Sequence, residues 1–221
     1  MMDREPPRTE LASAHLAGTG LAGTRPAGTG PAGAEPARTE LHRHPERGSH
    51  DLDVIFDIVD SALICHVGFD HDGAPVVIPT VHGRDGTTLY LHGSPASRML
   101  RGLASGIDVC VGITLVDELV LAKSWFHHSL NYRSVVVFGR ATVVGDPDVK
   151  TRALRLIVDH IRPGRSAEAR PPNAKELAGT LVLAVPLTES SAKVRSGPPL
   201  DDAEDADFSV WSGVVKVTSP R

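Results

Sequence analysis

Residues 129–145, SLNYRSVVVFGRATVVG, constrain the fold of this chain more than any other stretch. A polar cluster leads directly into three valines and a phenylalanine, and β-branched and aromatic residues in such a run favour a β-strand. Gly139 interrupts the run before the valines resume, which indicates a bulge or a bend in a closing sheet. The stretch is therefore predicted to be a strand around which the rest of the fold is arranged.

The polar start of this strand is a candidate binding surface. Because side chains alternate along a strand, Tyr132 and Ser134 are predicted to share one face, which presents an aromatic ring and a hydroxyl together. Asn131 and Arg133 are expected on the other side or at the strand end. The alternative is an ordinary strand that follows a solvated polar loop.

Size and charge narrow the possible functions. The 221 residues suffice for one domain or two small ones, and 41% hydrophobic residues suit a globular core. A net charge of −4 gives no electrostatic case for nucleic-acid binding. The apolar runs are too short to span a membrane, and no signal peptide opens the chain. Cys65 and Cys110 form no CxxC motif, which favours buried, reduced thiols in a cytoplasmic protein.

Residues 1–50 differ in composition from the rest of the chain. From Leu11 the sequence repeats every five residues in Ala, Gly, Pro and Thr, with too little apolar surface to offset the entropy of ordering it. We expect residues 1–50 to be a disordered tail. Two alternatives are that the tail binds a partner, or that translation starts near the histidine-rich residues 41–50.

Short strand and helix patterns alternate after this tail. Strands are predicted at 62–69, 76–81, 87–92, 108–115, 119–122, 129–145 and 180–187, and helices at 52–61, 95–103, 146–160 and 173–178. Asp146 is expected to start the third helix and Asn173 to cap the fourth. The first three strands are expected to form an antiparallel meander, in which Pro79 indicates either an edge strand or a bulge. Asp117 and Glu118 are expected to form a hairpin turn between the fourth and fifth strands. These elements predict a mainly β fold with peripheral helices: a small closed barrel of six to seven antiparallel strands and about three helices, in one domain over residues 51–217.

A strand end followed by a helix start, at residues 92–98, is a candidate anion pocket. Helix starts leave backbone N–H groups unpaired and carry partial positive charge. The side chains of His92, Ser94, Ser97 and Arg98 would add hydroxyls and a guanidinium, which suits a phosphate. The alternative is an ordinary helix start in which Ser94 is the cap and Pro95 the first helical residue.

The histidines and the possible nucleophiles do not allow a metal site or a catalytic residue to be assigned. His127 and His128 are adjacent, but neighbouring residues on an extended chain point apart, so no metal is predicted there. No nucleophile–base pair such as a G-x-S-x-G elbow is evident. His92 and His127 are the candidates for a general acid or base, and no catalytic residue is assigned.

Four motifs in order along the chain, VVIPT, HGSPASRML, SLNYRSVVVFGRA and VWSG, resemble those of the FMN-binding split-barrel proteins related to pyridoxamine 5′-phosphate oxidase. The branch they are most similar to is the flavin-nucleotide-binding group that includes nitroimidazole-resistance-type proteins. The resemblance implies a split barrel, a homodimer, and an FMN molecule in the groove between the two barrels.

The resemblance also implies roles for individual residues. Ser97 and Arg98 match a Ser-Arg-Lys run that holds the flavin phosphate; Met99 replaces the lysine, and Lys123 is the candidate substitute. The flavin ring is expected to contact these further residues: Ile78, Pro79 and Thr80 beneath it, and Tyr132, Arg133 and Ser134 beside it. Trp211 resembles an aromatic that covers the flavin edge across the dimer, with a core or interface aromatic as the alternative. The Arg/His motif that grips pyridoxamine phosphate in the classical oxidase is absent from the C-terminal end, so a different small-molecule substrate is expected.

Three functions remain distinct at this stage. The first is an FMN-dependent oxidoreductase that acts on a small organic substrate, with the redox chemistry carried by the flavin. The second is a flavin-binding module without turnover. The third is a haem-binding or haem-degrading split barrel, against which stands the lack of a histidine in the C-terminal tail to serve as axial ligand.

Overall fold

The computed structural model describes residues 38–217, so the prediction for the tail of residues 1–50 lies mostly outside the described residues. Within them, eleven strands form two antiparallel sheets, and five α-helices pack at the ends and sides. The strands are β1 Gly48–Ser49, β2 Cys65–His71, β3 Ala74–Thr80, β4 Gly83–Asp85, β5 Thr88–Gly93, β6 Asp108–Leu121, β7 Ser129–Arg140, β8 Thr142–Val143, β9 Leu181–Pro186, β10 Glu189–Arg195 and β11 Gly213–Lys216. The helices are α1 Leu52–Ser61, α2 Arg98–Ala104, α3 Pro147–Ile161, α4 Arg165–Glu168 and α5 Ala174–Ala178. None of the described helices is long and apolar enough to cross a membrane.

The two sheets close on each other as a split barrel. The larger sheet has the order β1-β10-β7-β6-β2-β3, with β11 also paired to β6, and the smaller has the order β4-β5-β9-β8. The chain crosses between the sheets four times, after β3, β5, β7 and β9. Gly139 lies within β7 and pairs with Val109 in regular register, so no bulge forms at this glycine, and the chain passes to the smaller sheet between Arg140 and Thr142. The predicted mainly β barrel fold is confirmed.

Alternation along the strands explains where the core lies. On β7, Val135 and Val137 are buried, and they pair with the equally buried Ile113 and Val111 of β6. These inward residues pack with the apolar stripes of α1 and α2 and with the inner face of the smaller sheet in one cluster. Each fully buried aliphatic side chain contributes roughly 1.5–3 kcal/mol. Cys65 is buried in the same cluster, where burial raises the pKa of its thiol to about 12, and both cysteines are free.

Helix α3 covers the other face of the smaller sheet. Tyr90 and Val182 of that sheet pack against Ala153 and Ile157 of the helix in a second cluster. Gly83 makes this approach possible, because a Cβ at that position would lie 2.9 Å from the backbone nitrogen of Ile157. Even an alanine there would push α3 away from β4.

Strand β6 differs from the prediction. Two strands with a hairpin turn at Asp117 and Glu118 were expected, but residues 108–121 form one strand, with an irregular register between Val116 and Glu118. The polar dipeptide is tolerated inside the strand because both carboxylates have partners on β7. Asp117 pairs with Arg133, and Glu118 accepts a hydrogen bond of 2.7 Å from the Asn131 amide. The turn prediction was therefore wrong, and the site is a β-bulge.

Two other strand predictions need correction. Strands β2 and β3 pair as expected, and β3 lies at the end of its sheet as Pro79 indicated, but the third predicted strand, β5, belongs to the smaller sheet and not to a three-stranded meander. Strand β10 was not predicted, because its sequence ESSAKVR has too few apolar residues to signal a strand. Long-range pairing with β7 forms it.

The helix starts follow capping rules, with one shift. Helix α2 begins at Arg98, and the hydroxyl of Ser97 accepts from the Leu100 N–H, so Ser97 and not Ser94 is the cap. Asn173 caps α5 in a reciprocal capping box with Glu176, and Asp146 caps α3, as the sequence indicated.

The described chain makes ordered contacts before residue 51. Residues 48–49 pair with β10, the Lys193 ammonium donates to the Arg43 carbonyl at 2.8 Å, and Arg38 forms an ion pair with Glu189. The sequence placed the start of the folded domain at Asp51 on composition alone. In the structure, residues 38–50 already lie on the larger sheet, because the open edge of β10 offers backbone partners.

Candidate functional site

The outer face of the larger sheet carries two of the predicted ring contacts. Tyr132 and Ser134 alternate with the buried valines of β7 and therefore lie on the same, outward face, as the period of two predicts. Their partners on β6 are Val116 and Thr114, both exposed. The hydroxyl of Ser134 donates to the Lys193 carbonyl at 3.3 Å, a long bond that leaves its lone pairs available.

Glycines leave the middle of this outer face without protruding side chains. Gly112 of β6 faces outward, and a Cβ built there would meet nothing within 4 Å. Its partner on β2 is His66, an exposed imidazole without a hydrogen-bond partner among residues 38–217. Beside them, Gly68 and Cys110 line a cavity of about 390 Å³ that extends to Phe138. Most of the residues that line this cavity are apolar, which suits a ring system, and Tyr132, Ser134 and Gly112 are not among them.

A charged residue closes one end of this depression. The Arg38 guanidinium lies over the Phe138 ring at 5.1 Å from its centroid, and it donates to both carboxylate oxygens of Glu189. Hydrogen bonding to that carboxylate raises the pKa of Arg38. The segment that precedes β1 therefore takes part in shaping the outer face.

Strand β3 contributes one of its three predicted residues to this face. Pro79 lies outward, opposite His66, whereas Ile78 alternates inward and packs on the barrel core. Thr80 follows the inward parity of Ile78, and its hydroxyl donates to the neighbouring Val81 carbonyl at 3.4 Å. The strand was predicted to lie under the flavin ring; its outward residues are Pro75, Val77 and Pro79.

Arg133 lies on the face opposite to Tyr132 and Ser134. Its guanidinium donates to both carboxylate oxygens of Asp117, at 3.1 and 3.0 Å, and to Asp57 of α1 at 3.0 Å. The hydrogen bonds to Asp117 raise the pKa of Arg133. With this set of partners, Arg133 ties α1 to the large sheet, and the structure does not bring it together with the other predicted ring contacts.

The strand-to-helix junction of residues 92–98 is formed by β5 and the start of α2. The Ser94 hydroxyl accepts from the Ala96 N–H at 3.2 Å and the Ser97 hydroxyl from the Leu100 N–H at 3.4 Å, so each O–H proton remains free to donate. Arg98 is exposed and has no hydrogen-bond or ion-pair partner within residues 38–217. The junction thus offers two hydroxyl donors and an unpaired cation.

His92 adds an unsatisfied group to the same junction. It is half-buried, and its Nδ1 is buried without a hydrogen-bond partner in the described part of the chain. Burial lowers the pKa of His92, so the imidazole is neutral at pH 7 and offers one donor and one acceptor. In the described chain, no hydrogen bond or ion pair joins this junction to the face with Tyr132, since β5 and β7 belong to different sheets.

Lys123 and Trp211 lie near the C-terminal segment. The Lys123 backbone N–H donates to Asp201 at 2.7 Å, and its ammonium donates to the Ala206 carbonyl. Lys123 thus follows β6 by two residues and is held by the C-terminal segment, and no hydrogen bond or ion pair within residues 38–217 joins it to Arg98. Trp211 packs against Gly213 and is 62% exposed, so much of its ring is free for another surface.

A surface loop holds features that the sequence did not reveal. In the 3-10 helix Trp125–His127, the Trp125 side chain is 96% exposed and Phe126 is 89% exposed. The His127 Nε2 pairs with Asp202 at 2.9 Å, whereas the His128 Nδ1 lies 2.8 Å from the Ser124 carbonyl. The two imidazoles thus have separate partners. Only the density of aromatic and histidine residues in SWFHHS gave any signal.

The fold is a mainly antiparallel split barrel with an exposed outer face on its larger sheet. A strand-to-helix junction with two serine hydroxyls lies on the smaller sheet, and together these features are typical of a cofactor-binding barrel. The sequence model of the pyridoxamine 5′-phosphate oxidase family matches residues 51–194, which is more than half of the chain. The chain belongs to this family. The predicted family assignment is therefore confirmed.

Solved structures support the same assignment. The flavocytochrome Anf3 from Azotobacter vinelandii is 38% identical, with 84% of this chain and 86% of that chain covered and a TM-score of 0.78. An FAD and haem binding protein from Mycobacterium smegmatis is also 38% identical, with 78% and 85% covered and a TM-score of 0.74. A putative 5-nitroimidazole antibiotic resistance protein from Bacteroides thetaiotaomicron is 26% identical, with 66% and 86% covered and a TM-score of 0.56. No curated protein matches the chain.

Proposed function

We propose that this protein binds a flavin nucleotide and acts as a flavin-dependent oxidoreductase on a small organic molecule. FMN is the expected flavin, and FAD, which the Mycobacterium smegmatis structure is described as binding, is the alternative. The observation that carries the proposal is the unpaired Arg98 beside two serine hydroxyls, on the segment that resembles the family's phosphate-binding run. An exposed cation with free donors around it suits a phosphate dianion.

The described residues fit the rest of a flavin. Pro79, Gly112, Tyr132 and Ser134 share the outer face, which provides a low apolar floor with hydroxyls at its side. The unsatisfied Nδ1 of His92 is a polar atom that a ligand at the junction could pair with. When bound, a flavin supplies hydride and electron transfer, and these side chains bind and orient it.

Flavin titration tests the phosphate assignment. We expect Ser97→Ala combined with Arg98→Ala to weaken flavin binding by about 3 kcal/mol, roughly a hundredfold, because two charge-assisted hydrogen bonds are lost. Arg101→Ala is the matched control, since Arg101 is an exposed arginine one turn further along α2 without a partner within residues 38–217. Equal flavin affinity in the double variant and the control would reject the assignment.

Turnover separates an enzyme from a passive flavin carrier. The yellow protein is expected to bleach with NAD(P)H under nitrogen and to recover its absorbance with oxygen or a nitro compound. A flavin spectrum that no reductant of this kind changes would favour the non-catalytic module.

Dimerisation is part of the proposal. Trp211 is largely exposed on the single chain, as expected for a residue that covers a flavin held by a second copy. Light scattering after gel filtration should give twice the mass of the chain. A monomer that binds flavin with full affinity would exclude this arrangement.

A second function is favoured by a specific observation. Both structures at 38% identity are described as flavin proteins with haem or cytochrome character. We therefore propose that the chain binds haem in addition to flavin. The earlier objection considered only the C-terminal tail, whereas the described chain carries exposed imidazoles on β2, at residue 50 and in the loop before β7. A Soret band in the protein as isolated, or on addition of haemin, is the expected result.

A further inference from the structure

An axial haem ligand must meet two requirements that can be checked on each histidine. One ring nitrogen must be unprotonated and accessible to the iron, and the other is usually held by a hydrogen bond to a carbonyl or carboxylate, which fixes the tautomer and the orientation. Ten of the eleven histidines, all but His15, lie in the described residues.

Most of these histidines fail one requirement. His82 is fully buried, and His82, His127 and His160 each use Nε2 for a hydrogen bond within the chain. His42, His66, His71 and His92 have no orienting hydrogen bond to a carbonyl or carboxylate within residues 38–217. Three exposed imidazoles are held through Nδ1 and keep Nε2 free. They are His44, at 3.0 Å from the Glu46 carboxylate, His50, at 3.1 Å from the Ser190 carbonyl, and His128, at 2.8 Å from the Ser124 carbonyl.

The surroundings distinguish these three imidazoles. His44 lies between Arg43 and Pro45, and His50 lies between the polar residues Ser49 and Asp51. His128 follows Trp125 and Phe126, whose side chains are 96% and 89% exposed. Two large aromatic side chains left in water at one loop indicate a surface that something apolar covers. Haem is a flat, largely apolar ligand whose iron binds an axial side chain, and an imidazole is one of the side chains that serve.

The loop is held in position by the C-terminal segment. The backbone N–H of Lys123 donates to Asp201, the Lys123 ammonium to the Ala206 carbonyl, and His127 pairs with Asp202. These three bonds fix both sides of the exposed aromatic pair, and a ligand imidazole on a fixed loop loses little conformational freedom on binding.

We propose that His128 is the axial ligand of the haem iron through Nε2, and that Trp125 and Phe126 cover the porphyrin. The proposal rests on the haem binding proposed above and names its site. The Ser124 carbonyl holds the Nδ1 proton, so the nitrogen that faces solvent carries the lone pair. This arrangement selects a metalloporphyrin over a purely apolar protein partner.

Haemin titration of the full chain with flavin bound tests the proposal. Wild-type protein is expected to bind one haemin per chain with a Soret band typical of histidine ligation. His128→Ala is expected to weaken haemin binding at least about tenfold and to shift or abolish that band, while the flavin absorbance stays unchanged. Added imidazole should restore the wild-type spectrum in His128→Gly. Trp125→Ala and Phe126→Ala should weaken haemin binding without moving the Soret maximum.

Three single-residue controls complete the test. His44→Ala, His50→Ala and His66→Ala should each keep the wild-type Soret band and affinity. If one of them loses the band and His128→Ala does not, the ligand assignment is overturned while haem binding stands. If the wild-type chain takes up no haemin, the haem function fails and the ligand assignment fails with it. If the Trp125 and Phe126 variants change the mass in light scattering and leave haemin affinity intact, a second copy of the chain covers the aromatic pair and the porphyrin does not.

Discussion

Two pairs of histidines occupy opposite environments in this molecule. The rings of His82 and His160 lie 4.4 Å apart, between α1, α3 and the start of β4, and His82 is completely buried. Each donates from Nε2 to a backbone carbonyl at the end of α1, His82 to Val59 at 2.9 Å and His160 to Ala62 at 2.6 Å. His127 and His128 are adjacent in sequence, lie on a surface loop and have separate partners.

The difference follows from what each environment requires. Carbonyls in the last turn of a helix lack intrahelical partners, and at a buried helix end something else must satisfy them. His82 does so as a neutral donor, since burial lowers the pKa of its imidazole to about 4. On the loop, water satisfies the remaining groups, so an imidazole can keep a free nitrogen. Burial thus makes His82 a structural residue, whereas the exposed His128 keeps a ring nitrogen available for a ligand.

The largest effect is expected from His82→Ala. This change removes a buried ring and leaves the Val59 carbonyl without a donor, so we expect the free energy of unfolding to fall by about 3 kcal/mol. Urea denaturation at pH 7.5 measures it, with His127→Ala as the surface control. A loss no greater than that of the control would show that the two pairs do not differ as described.

Acid should weaken the protein through the same residue. The pKa of His82 is about 4 in the folded state and roughly 6.5 in the unfolded state, so the unfolded chain binds the proton more readily. The stability contribution is complete above pH 6.5 and is lost as the pH falls towards 4. Between pH 7 and pH 5 the loss is about 2 kcal/mol. His82→Gln retains a donor without titrating, so an equally steep pH dependence in that variant would contradict the assignment.

A smaller effect is expected from His160→Ala. The residue is half-buried, so water can reach the Ala62 carbonyl once the imidazole is gone. We expect a loss of about 1 kcal/mol from the missing hydrogen bond and ring contact. Denaturation of the single and double variants gives the coupling between His82 and His160. A coupling near zero would mean that the ring contact contributes nothing.

The smallest effect belongs to His127→Ala. Its partner Asp202 is exposed, and such surface pairs contribute about 0.5 kcal/mol or less. The loss should stay at or below this value in urea denaturation at pH 7.5. A larger loss would indicate that the C-terminal segment depends on this contact.

Local patterns in the sequence predicted much of the fold, and long-range pairing explains most of the misses. The valine run of β7, the stripe of α3 and the Asn173 cap each carry their signal within a few residues. The bulge in β6 could not be predicted in this way. Asp117 resembles a turn residue until its partner Arg133, sixteen positions later, is known.

The candidate site shows the same division. Alternation alone placed Tyr132 and Ser134 on one face. It could not show that Arg133 would be held by Asp57, 76 positions away, or that Lys123 would bond to the C-terminal segment. Exposure of Trp125 and Phe126 depends on what the folded chain leaves uncovered, and no local pattern reports that.

The short pairing of Gly48 and Ser49 with β10 has a practical consequence for anyone who shortens this protein. The change in composition near Asp51 suggests a truncation at that residue. Such a truncation would remove β1 from its pairing with β10 and would also remove the Arg38 contact over Phe138. The bare N–H and C=O groups would then be open to a strand from another molecule. A protein that starts at or before Arg38 keeps the edge of β10 paired with β1 and is the better choice for crystallisation or spectroscopy.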